Sequence, residues 1–268
     1  MTLPLHPNRC TSCSNEFQSP VPMALCPSCW SRVEAQRLST YKRQMGEKLN
    51  SILADELMLR GMGAVEAACS TAHVPMEIQK RLPREPLDQL RKGELPTNGF
   101  GLGGSVGCGK SGTMAALLAA ATEARLQRRL MEMTRMPTVF DEAPWHRAPA
   151  FRWVVWPTTS TWIKGSFSRK VGLEEVEDFT FMACTIPLLV LDDLGRERMK
   201  VNYTEDFSFA QLDRIVDERS RNRRPILWTA NANRLELSGF YGAAFMDRLI
   251  ALAPLVTLPP LPSLRGKL

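Results

Sequence analysis

The chain has 268 residues, of which 44% are hydrophobic and 23% are charged, and its formal net charge is +6 with a pI near 9.1. This apolar content suffices for a folded core and excludes an intrinsically disordered protein. No run of about 18 uninterrupted apolar residues occurs, and the first residues lack the basic-then-apolar order of a signal peptide. We therefore expect a cytoplasmic protein without a membrane span, whose basic character suits a polyanionic partner.

Four of the seven cysteines form two close pairs near the N-terminus. Cys10-x-x-Cys13 and Cys26-x-x-Cys29 are separated by twelve residues. Two such knuckles can present four thiolates to one tetrahedral Zn²⁺, and because so short a module cannot build its own core, the metal would supply its folding free energy. We predict a zinc-binding module at residues 1–40. Residues 1–30 carry only one lysine or arginine, Arg9, which favours a protein partner for this module over DNA.

Apolar residues recur at helical spacing after the cysteine pairs. The pattern runs from Trp30 to about Leu82, with a break at Gly61 and Gly63 and several prolines after residue 74. This predicts a helical linker at residues 41–70 and a third region, residues 71–268, that contains the remaining motifs.

A phosphate-binding loop is the most specific motif of the third region. It fits the pattern G-x-x-x-x-G-K-[ST] and consists of Gly104, Ser105, Val106, Gly107, Cys108, Gly109, Lys110 and Ser111. The glycines let backbone N–H groups converge on phosphate, the lysine reaches the β- and γ-phosphates, and the serine hydroxyl can bind Mg²⁺. An apolar run at 114–121 predicts a helix after the loop, and 100–102 predicts a short strand before it, although glycines weaken that strand. The sequence therefore predicts a nucleotide site.

A second apolar strand, at 186–191, ends in two acids about 80 residues after the loop. This is the Walker B arrangement, in which Asp192 would hold Mg²⁺ and Asp193 would polarise the attacking water. Many proteins of this class carry Glu in the second place, so we expect slow hydrolysis from the shorter Asp193. A third strand, at 225–230, ends at Asn231, which could orient the water.

Further segments complete the predicted α/β domain. They are strands at 151–156 and 255–258, a helix at about 204–222 with acids first and arginines last, and a short helix that includes 245–249. The proline-rich stretch at 136–149, with His146, predicts an exposed loop.

The order of these elements resembles that of an AAA+ ATPase. The stretches 189–198, 212–219, 225–231 and 245–249 resemble the DnaC/DnaI/IstB group, which contains helicase loaders and transposition ATPases, over roughly residues 70–258. The resemblance implies a parallel sheet flanked by helices, with Asn231 at the sensor 1 position. It also implies that Arg248 is the arginine finger for a neighbouring subunit in a ring or spiral. Only ten residues follow Leu258, so we expect no C-terminal lid, as in the DnaC-like group.

The resemblance implies a loader that binds a DnaB-type replicative helicase through the zinc module and places it on single-stranded DNA. Candidate DNA contacts are the cations and aromatic residues Lys164, Arg169, Lys170, Trp162 and Phe167, although a solvated helix face explains them equally well. Two alternatives stay open: a transposition ATPase of the IstB kind that binds duplex DNA, and a nucleotide-switched, zinc-dependent DNA-binding scaffold. A small-molecule kinase would not need Asn231 and Arg248.

Overall fold

The strands of the described residues form a five-stranded parallel sheet and a two-stranded antiparallel sheet. The computed structural model describes residues 6–19, 21, 23–63, 66, 74–135, 151–169, 172–197 and 206–259. In chain order its elements are β1 (His6–Arg9), β2 (Glu16–Ser19), α1 (Pro27–Leu59), α2 (Met76–Gln79), α3 (Arg84–Arg91), β3 (Phe100–Gly103), α4 (Lys110–Arg135), β4 (Phe151–Val155), α5 (Trp156–Arg169), α6 (Leu173–Thr185), β5 (Leu188–Leu194), α7 (Phe207–Arg221), β6 (Ile226–Ala230), α8 (Arg234–Tyr241), α9 (Ala243–Leu252) and β7 (Leu255–Thr257). None of the helices in these ranges is both long and apolar enough to cross a bilayer.

The chain divides into two compact units. One consists of Met1–Ser51 with Arg129–Phe140, and the other of Ile52–Arg128 with Asp141–Leu268. Helix α1 runs continuously across residue 40, where the sequence predicted the end of the zinc module. The predicted boundaries at residues 40 and 70 stay predictions.

The large sheet has the strand order β4-β5-β6-β3-β7, and every neighbouring pair is parallel. Parallel strands all end at one edge of their sheet, so the loops after β3, β5 and β6 lie close together. Alternate residues of β5 pack on opposite faces: Leu188 and Val190 join a cluster with α4, and Leu189 and Leu191 join a cluster with α5 to α9. Both faces are therefore covered by helices, as the sequence predicted.

Gly101 in the strand before the phosphate loop, and Gly99 just before that strand, have a packing role. A Cβ on Gly101 would lie 2.1 Å from the indole ring of Trp228, and one on Gly99 would lie 2.1 Å from the carbonyl oxygen of Ile226. The absence of side chains lets β3 approach β6 and its tryptophan closely. The feature that weakened the strand prediction is thus what allows this strand to pair.

The predicted helix at 204–222 is observed as α7, and its acidic residue has a capping role. Asp206 precedes the first turn, and its carboxylate accepts hydrogen bonds from the backbone N–H groups of Ser208 and Phe209. Residues 136–150, which include His146, and residues 260–268 lie outside the described part of the chain. The exposed loop and the missing lid therefore remain expectations.

Arg219 of α7 is fully buried and contacts backbone carbonyls. Its guanidinium donates to the carbonyl oxygens of Ala183, Ile186, Pro187 and Pro225 at 2.7 to 3.2 Å. Burial lowers its pKa to about 10, so it stays charged at neutral pH. The sequence suggested only a favourable charge at the helix end, whereas the structure gives this arginine four specific acceptors.

Replacing Arg219 by methionine should destabilise the protein by about 3 kcal/mol or more, because buried carbonyls would lose their donor. Urea unfolding of the variant measures this loss. The matched control is Arg221→Met, since the Arg221 side chain is 69% exposed and pairs with Asp217 one turn away. This variant should cost at most about 0.5 kcal/mol. Equal losses in the two variants would contradict the assigned role.

Candidate functional site

The phosphate loop connects β3 to the first turn of α4. Gly107 and Gly109 have φ angles of 82° and 91°, a left-handed conformation that side chains with a Cβ rarely adopt. The Lys110 ammonium donates to the carbonyl oxygens of Gly104 at 2.9 Å and Ser105 at 2.8 Å. Lys110 is only 6% exposed, and this burial lowers the pKa of its ammonium group. The Lys110 ammonium thus contacts two carbonyl oxygens of its own loop. A phosphate oxygen would be a stronger acceptor than either carbonyl, because it is charged.

The two acids of the Walker B strand lie at the same edge of the sheet. Asp192 is 6% exposed, and its Oδ1 accepts hydrogen bonds from the hydroxyls of Ser111 at 2.7 Å and Thr229 at 2.6 Å. Burial raises the pKa of Asp192. A hydroxyl and a carboxylate in hydrogen-bond contact supply the oxygen ligands that Mg²⁺ prefers, and a cation would offset the cost of burying the charge. The residues therefore fit a magnesium ion.

Asp193 and Asn231, the predicted base and the predicted sensor 1 residue, are hydrogen-bonded to each other. The side-chain amide of Asn231, at the end of β6, donates to Oδ1 of Asp193. The other carboxylate oxygen, Oδ2, pairs with Arg196 at 2.8 Å. Both oxygens of the candidate base are therefore engaged.

Arg248 lies on α9 and pairs with Asp213 of α7 rather than with its neighbour Asp247. Asp247 pairs with Arg234 of α8 at 3.0 Å. Within the described residues, Arg248 shares no hydrogen bond with Asp192, Asp193 or Asn231. Its position is compatible with a finger that serves another subunit, and its role stays a prediction.

The candidate DNA contacts are only partly within the described residues. Lys164 forms an ion pair with the buried carboxylate of Asp206 at 2.7 Å, which gives it a role in the cap of α7. Trp162 packs edge-on against Phe179 with ring centroids 5.8 Å apart and is 38% exposed. Phe167 and Arg169 belong to α5, but their side chains, and all of Lys170, lie outside the described part of the chain.

The four N-terminal cysteines converge on one point. Cys10, Cys13, Cys26 and Cys29 place their Sγ atoms within 4.8 Å of one another, and three of the four are buried. Zinc ligands at about 2.3 Å in a tetrahedron are about 3.8 Å apart, and the Sγ atoms of Cys13 and Cys26 are 3.7 Å apart. Cys13 lies in the β1–β2 turn and Cys29 in the first turn of α1. The residues fit a structural Zn²⁺.

The thiols differ in acidity because of their backbone and thiol neighbours. A hydrogen bond from the backbone of Cys26 lowers the pKa of Cys10 to about 6. Hydrogen bonding to Cys13 and Cys26 raises the pKa of Cys29 to about 12. Four crowded thiolates repel one another, so a divalent cation is the natural way to keep them together.

The sequence did not reveal three polar residues in or next to the candidate nucleotide site. Thr229 contacts Asp192, Arg196 pairs with Asp193, and Tyr241 donates its hydroxyl hydrogen to Glu197 while accepting from the N–H of Gly195. The signal for the first was a lone polar residue inside the apolar strand at 226–230. The other two depend on contacts that spacing alone does not reveal.

The strand order decides the fold. The phosphate-loop strand β3 lies between β6 and the edge strand β7, the Walker B strand β5 lies two positions away from it, and β6, which ends next to Asn231, lies between β3 and β5. The chain has an AAA+ fold.

Comparison with the solved structure of DnaI agrees with this fold. The structure superposes on the crystal structure of DnaI with a TM-score of 0.52 and 18% sequence identity, over 76% of this chain and 95% of that one. It also aligns with the DnaC helicase loader (TM-score 0.44, 18% identity, 63% of this chain and 81% of that one) and with the replication initiator DnaA bound to AMPPCP and single-stranded DNA (0.43, 16%, 72% and 53%). The sequence matches no protein-family model and no curated protein. The likeness to DnaI shows the fold alone.

Replacing Lys110 by alanine should weaken binding of ADP or ATP by about 10–100-fold, because two phosphate oxygens would lose a charged donor. Isothermal titration calorimetry with Mg²⁺ present measures the change. Lys92→Ala serves as the control, since Lys92 is an exposed lysine outside the loop. An unchanged dissociation constant for Lys110→Ala would refute a nucleotide site here.

Proposed function

We propose that the chain is a cytoplasmic ATPase that loads a DnaB-type replicative helicase onto single-stranded DNA. The observation that carries the ATPase part is the hydrogen bond between Ser111 and Asp192, which joins the phosphate loop to the Walker B strand across 81 positions of sequence. Asn231 and Asp193 extend the same network to the neighbouring strand. The sequence resemblance to the DnaC/DnaI/IstB group supplies the loader part.

In this proposal each residue of the site has one task. The loop backbone and Lys110 bind the phosphates, and Ser111 and Asp192 hold Mg²⁺, which neutralises phosphate charge when bound. Asp193 accepts a proton from the attacking water, and Asn231 orients that water. Asp193 also pairs with Arg196 at 2.8 Å, so the guanidinium competes with the attacking water for this carboxylate. We expect slow basal turnover from this competition and from the short side chain.

The zinc module would be the part that binds the helicase. Two large apolar residues near the cysteines are exposed, Val21 at 55% and Trp30 at 50%, and such residues are typical of protein interfaces. The module has little positive charge for a phosphate backbone, since Arg9 is the sole lysine or arginine of residues 1–30. Both features favour a protein partner.

Contact with single-stranded DNA is proposed for the ATPase unit. Trp162 keeps a partly exposed ring on which a base can stack. Lys164 is better explained by its ion pair with Asp206. We therefore expect Trp162→Ala to weaken DNA binding more than Lys164→Ala does, provided that both variants fold.

The loader hypothesis is tested by light scattering on a size-exclusion column with the host's replicative helicase hexamer, in ATP and in ADP. The wild type should form a complex, and the double variant Cys26→Ser, Cys29→Ser should lose both zinc, measured by elemental analysis, and the complex. Cys184→Ser is the matched control, because Cys184 is a buried cysteine of α6, remote in sequence from the cluster. No complex with zinc intact would reject the loader role, and duplex DNA would then test the IstB-like alternative.

Arg248→Ala should lower ATP turnover by about 10³-fold or more, while nucleotide affinity stays within about twofold, because a finger contacts the transition state of another subunit. Arg234→Ala is the control, since Arg234 is an exposed arginine of the preceding helix that pairs with an acid, Asp247. Mixing Arg248→Ala with Lys110→Ala should restore part of the turnover, because one variant supplies an intact site and the other an intact finger. Failure of the mixture to recover activity would count against action in trans.

A second candidate function is the nucleotide-switched, zinc-dependent DNA-binding scaffold. The pairing of Asp193 with both Asn231 and Arg196 favours it, because a base that never leaves these partners would not turn over ATP. An ATPase assay with and without single-stranded DNA separates the two. Stimulation by DNA supports the loader, and nucleotide binding without turnover in either condition supports the scaffold.

A further inference from the structure

Thr229 is a polar residue in the otherwise apolar strand β6. It is 1% exposed, and its hydroxyl lies between the two Walker B acids. The hydroxyl donates to Oδ1 of Asp192 at 2.6 Å and accepts from the backbone N–H of Asp193 at 2.9 Å. A hydroxyl has one hydrogen and two lone pairs, so a single threonine can satisfy both contacts at once.

The backbone of β5 explains why a side chain is needed at this point. Leu191 pairs with Trp228 and Leu194 pairs with Ala230, so two residues of β5 face the single residue Thr229 of β6. This is a β-bulge, which leaves one residue out of the ladder. Asp193 takes a φ of +66°, which is uncommon for a residue with a Cβ. The Thr229 hydroxyl replaces the ladder acceptor for its N–H group.

We propose that Thr229 is a positioning residue that fixes the Asp192 carboxylate for Mg²⁺, an inference that rests on the proposed nucleotide function. Oδ1 of Asp192 accepts from both Ser111 and Thr229. Ser111 would share its hydroxyl oxygen with Mg²⁺ while its hydrogen still faces Asp192, so its position would depend on the metal. Thr229 lies on the neighbouring strand, and its bond would keep the carboxylate facing the phosphate loop with or without the metal. Groups that hold a metal ligand in this way typically affect metal affinity or activity by about 10–100-fold.

A valine at position 229 has nearly the same shape but lacks the hydroxyl. It would leave the N–H of Asp193 without its acceptor and the buried carboxylate of Asp192 without its donor. Serine keeps the hydroxyl and loses only a methyl group. The pair Thr229→Val and Thr229→Ser therefore separates hydrogen bonding from shape.

The test measures ADP binding by calorimetry in EDTA and in Mg²⁺, and the ratio of the two dissociation constants reports how strongly the metal couples to the nucleotide. Thr229→Val should reduce this ratio by about tenfold or more and leave the affinity in EDTA within about twofold. Thr229→Ser should stay within about threefold of the wild type. Thr180→Val is the matched control, because Thr180 is also a buried threonine, and it donates to the side chain of Gln211 at 3.0 Å on α7. It should leave the ratio unchanged.

An unchanged ratio in Thr229→Val, or an equal loss in Thr229→Ser, overturns the positioning role. If Thr229→Val does not fold, Thr229→Ser and Thr229→Ala are compared instead, since both lack the methyl group and differ only in the hydroxyl. If the wild type binds ADP no more tightly with Mg²⁺, the proposed nucleotide chemistry is overturned together with the inference. A wild type that couples to Mg²⁺ beside a valine variant that couples equally well overturns the inference alone.

Discussion

A buried carboxylate at the end of β5 is the constraint on which the site depends. Asp192 is 6% exposed, and moving such a charge out of water costs several kcal/mol unless partners compensate it. The partners come from two other elements, Ser111 from α4 and Thr229 from β6. The compensation of this one charge therefore depends on the phosphate loop, the end of β5 and the end of β6 lying side by side. The order β5-β6-β3 is what brings the three ends together.

Strands β5 and β6 are also held at their amino ends, where the buried charge is the positive guanidinium of Arg219. The guanidinium of Arg219 contacts the carbonyls of Ile186 and Pro187, just before β5, and that of Pro225, just before β6. A buried donor satisfies these carbonyl oxygens without an acid, and that of Pro225 also accepts from the backbone N–H of Leu189 at 3.4 Å. A fixed cation at the amino ends and a compensated anion at the carboxyl ends together set the alignment of β5 with β6. The bulge at Asp193 is the one departure from this alignment.

Much of this arrangement follows from the sequence because it depends on local patterns. The phosphate loop, the apolar strand before Asp192 and the paired cysteines each carry their chemistry within a short window, and the structure brings the members of each motif together. The contacts that sequence did not predict, Thr229 with Asp192 and Arg219 with four carbonyls, join elements that are 6 to 37 residues apart. They depend on strand order and on a bulge, and neither leaves a periodic trace. For Lys164 the sequence showed a cation but not the buried carboxylate that pairs with it.

The close contact between Gly101 and Trp228 has a consequence for how this sheet can change in evolution. A Cβ at Gly101 would lie 2.1 Å from the indole ring, and the indole N–H is itself fixed by a 2.9 Å bond to the carbonyl of Ala253. Neither residue can move without the other, and the indole ring of Trp228 occupies the space that a side chain at position 101 would need. We expect related chains with a small residue at 228 to tolerate a side chain at 101, and chains that keep the tryptophan to keep the glycine. This covariation would mark which distant sequences share the same phosphate-loop strand.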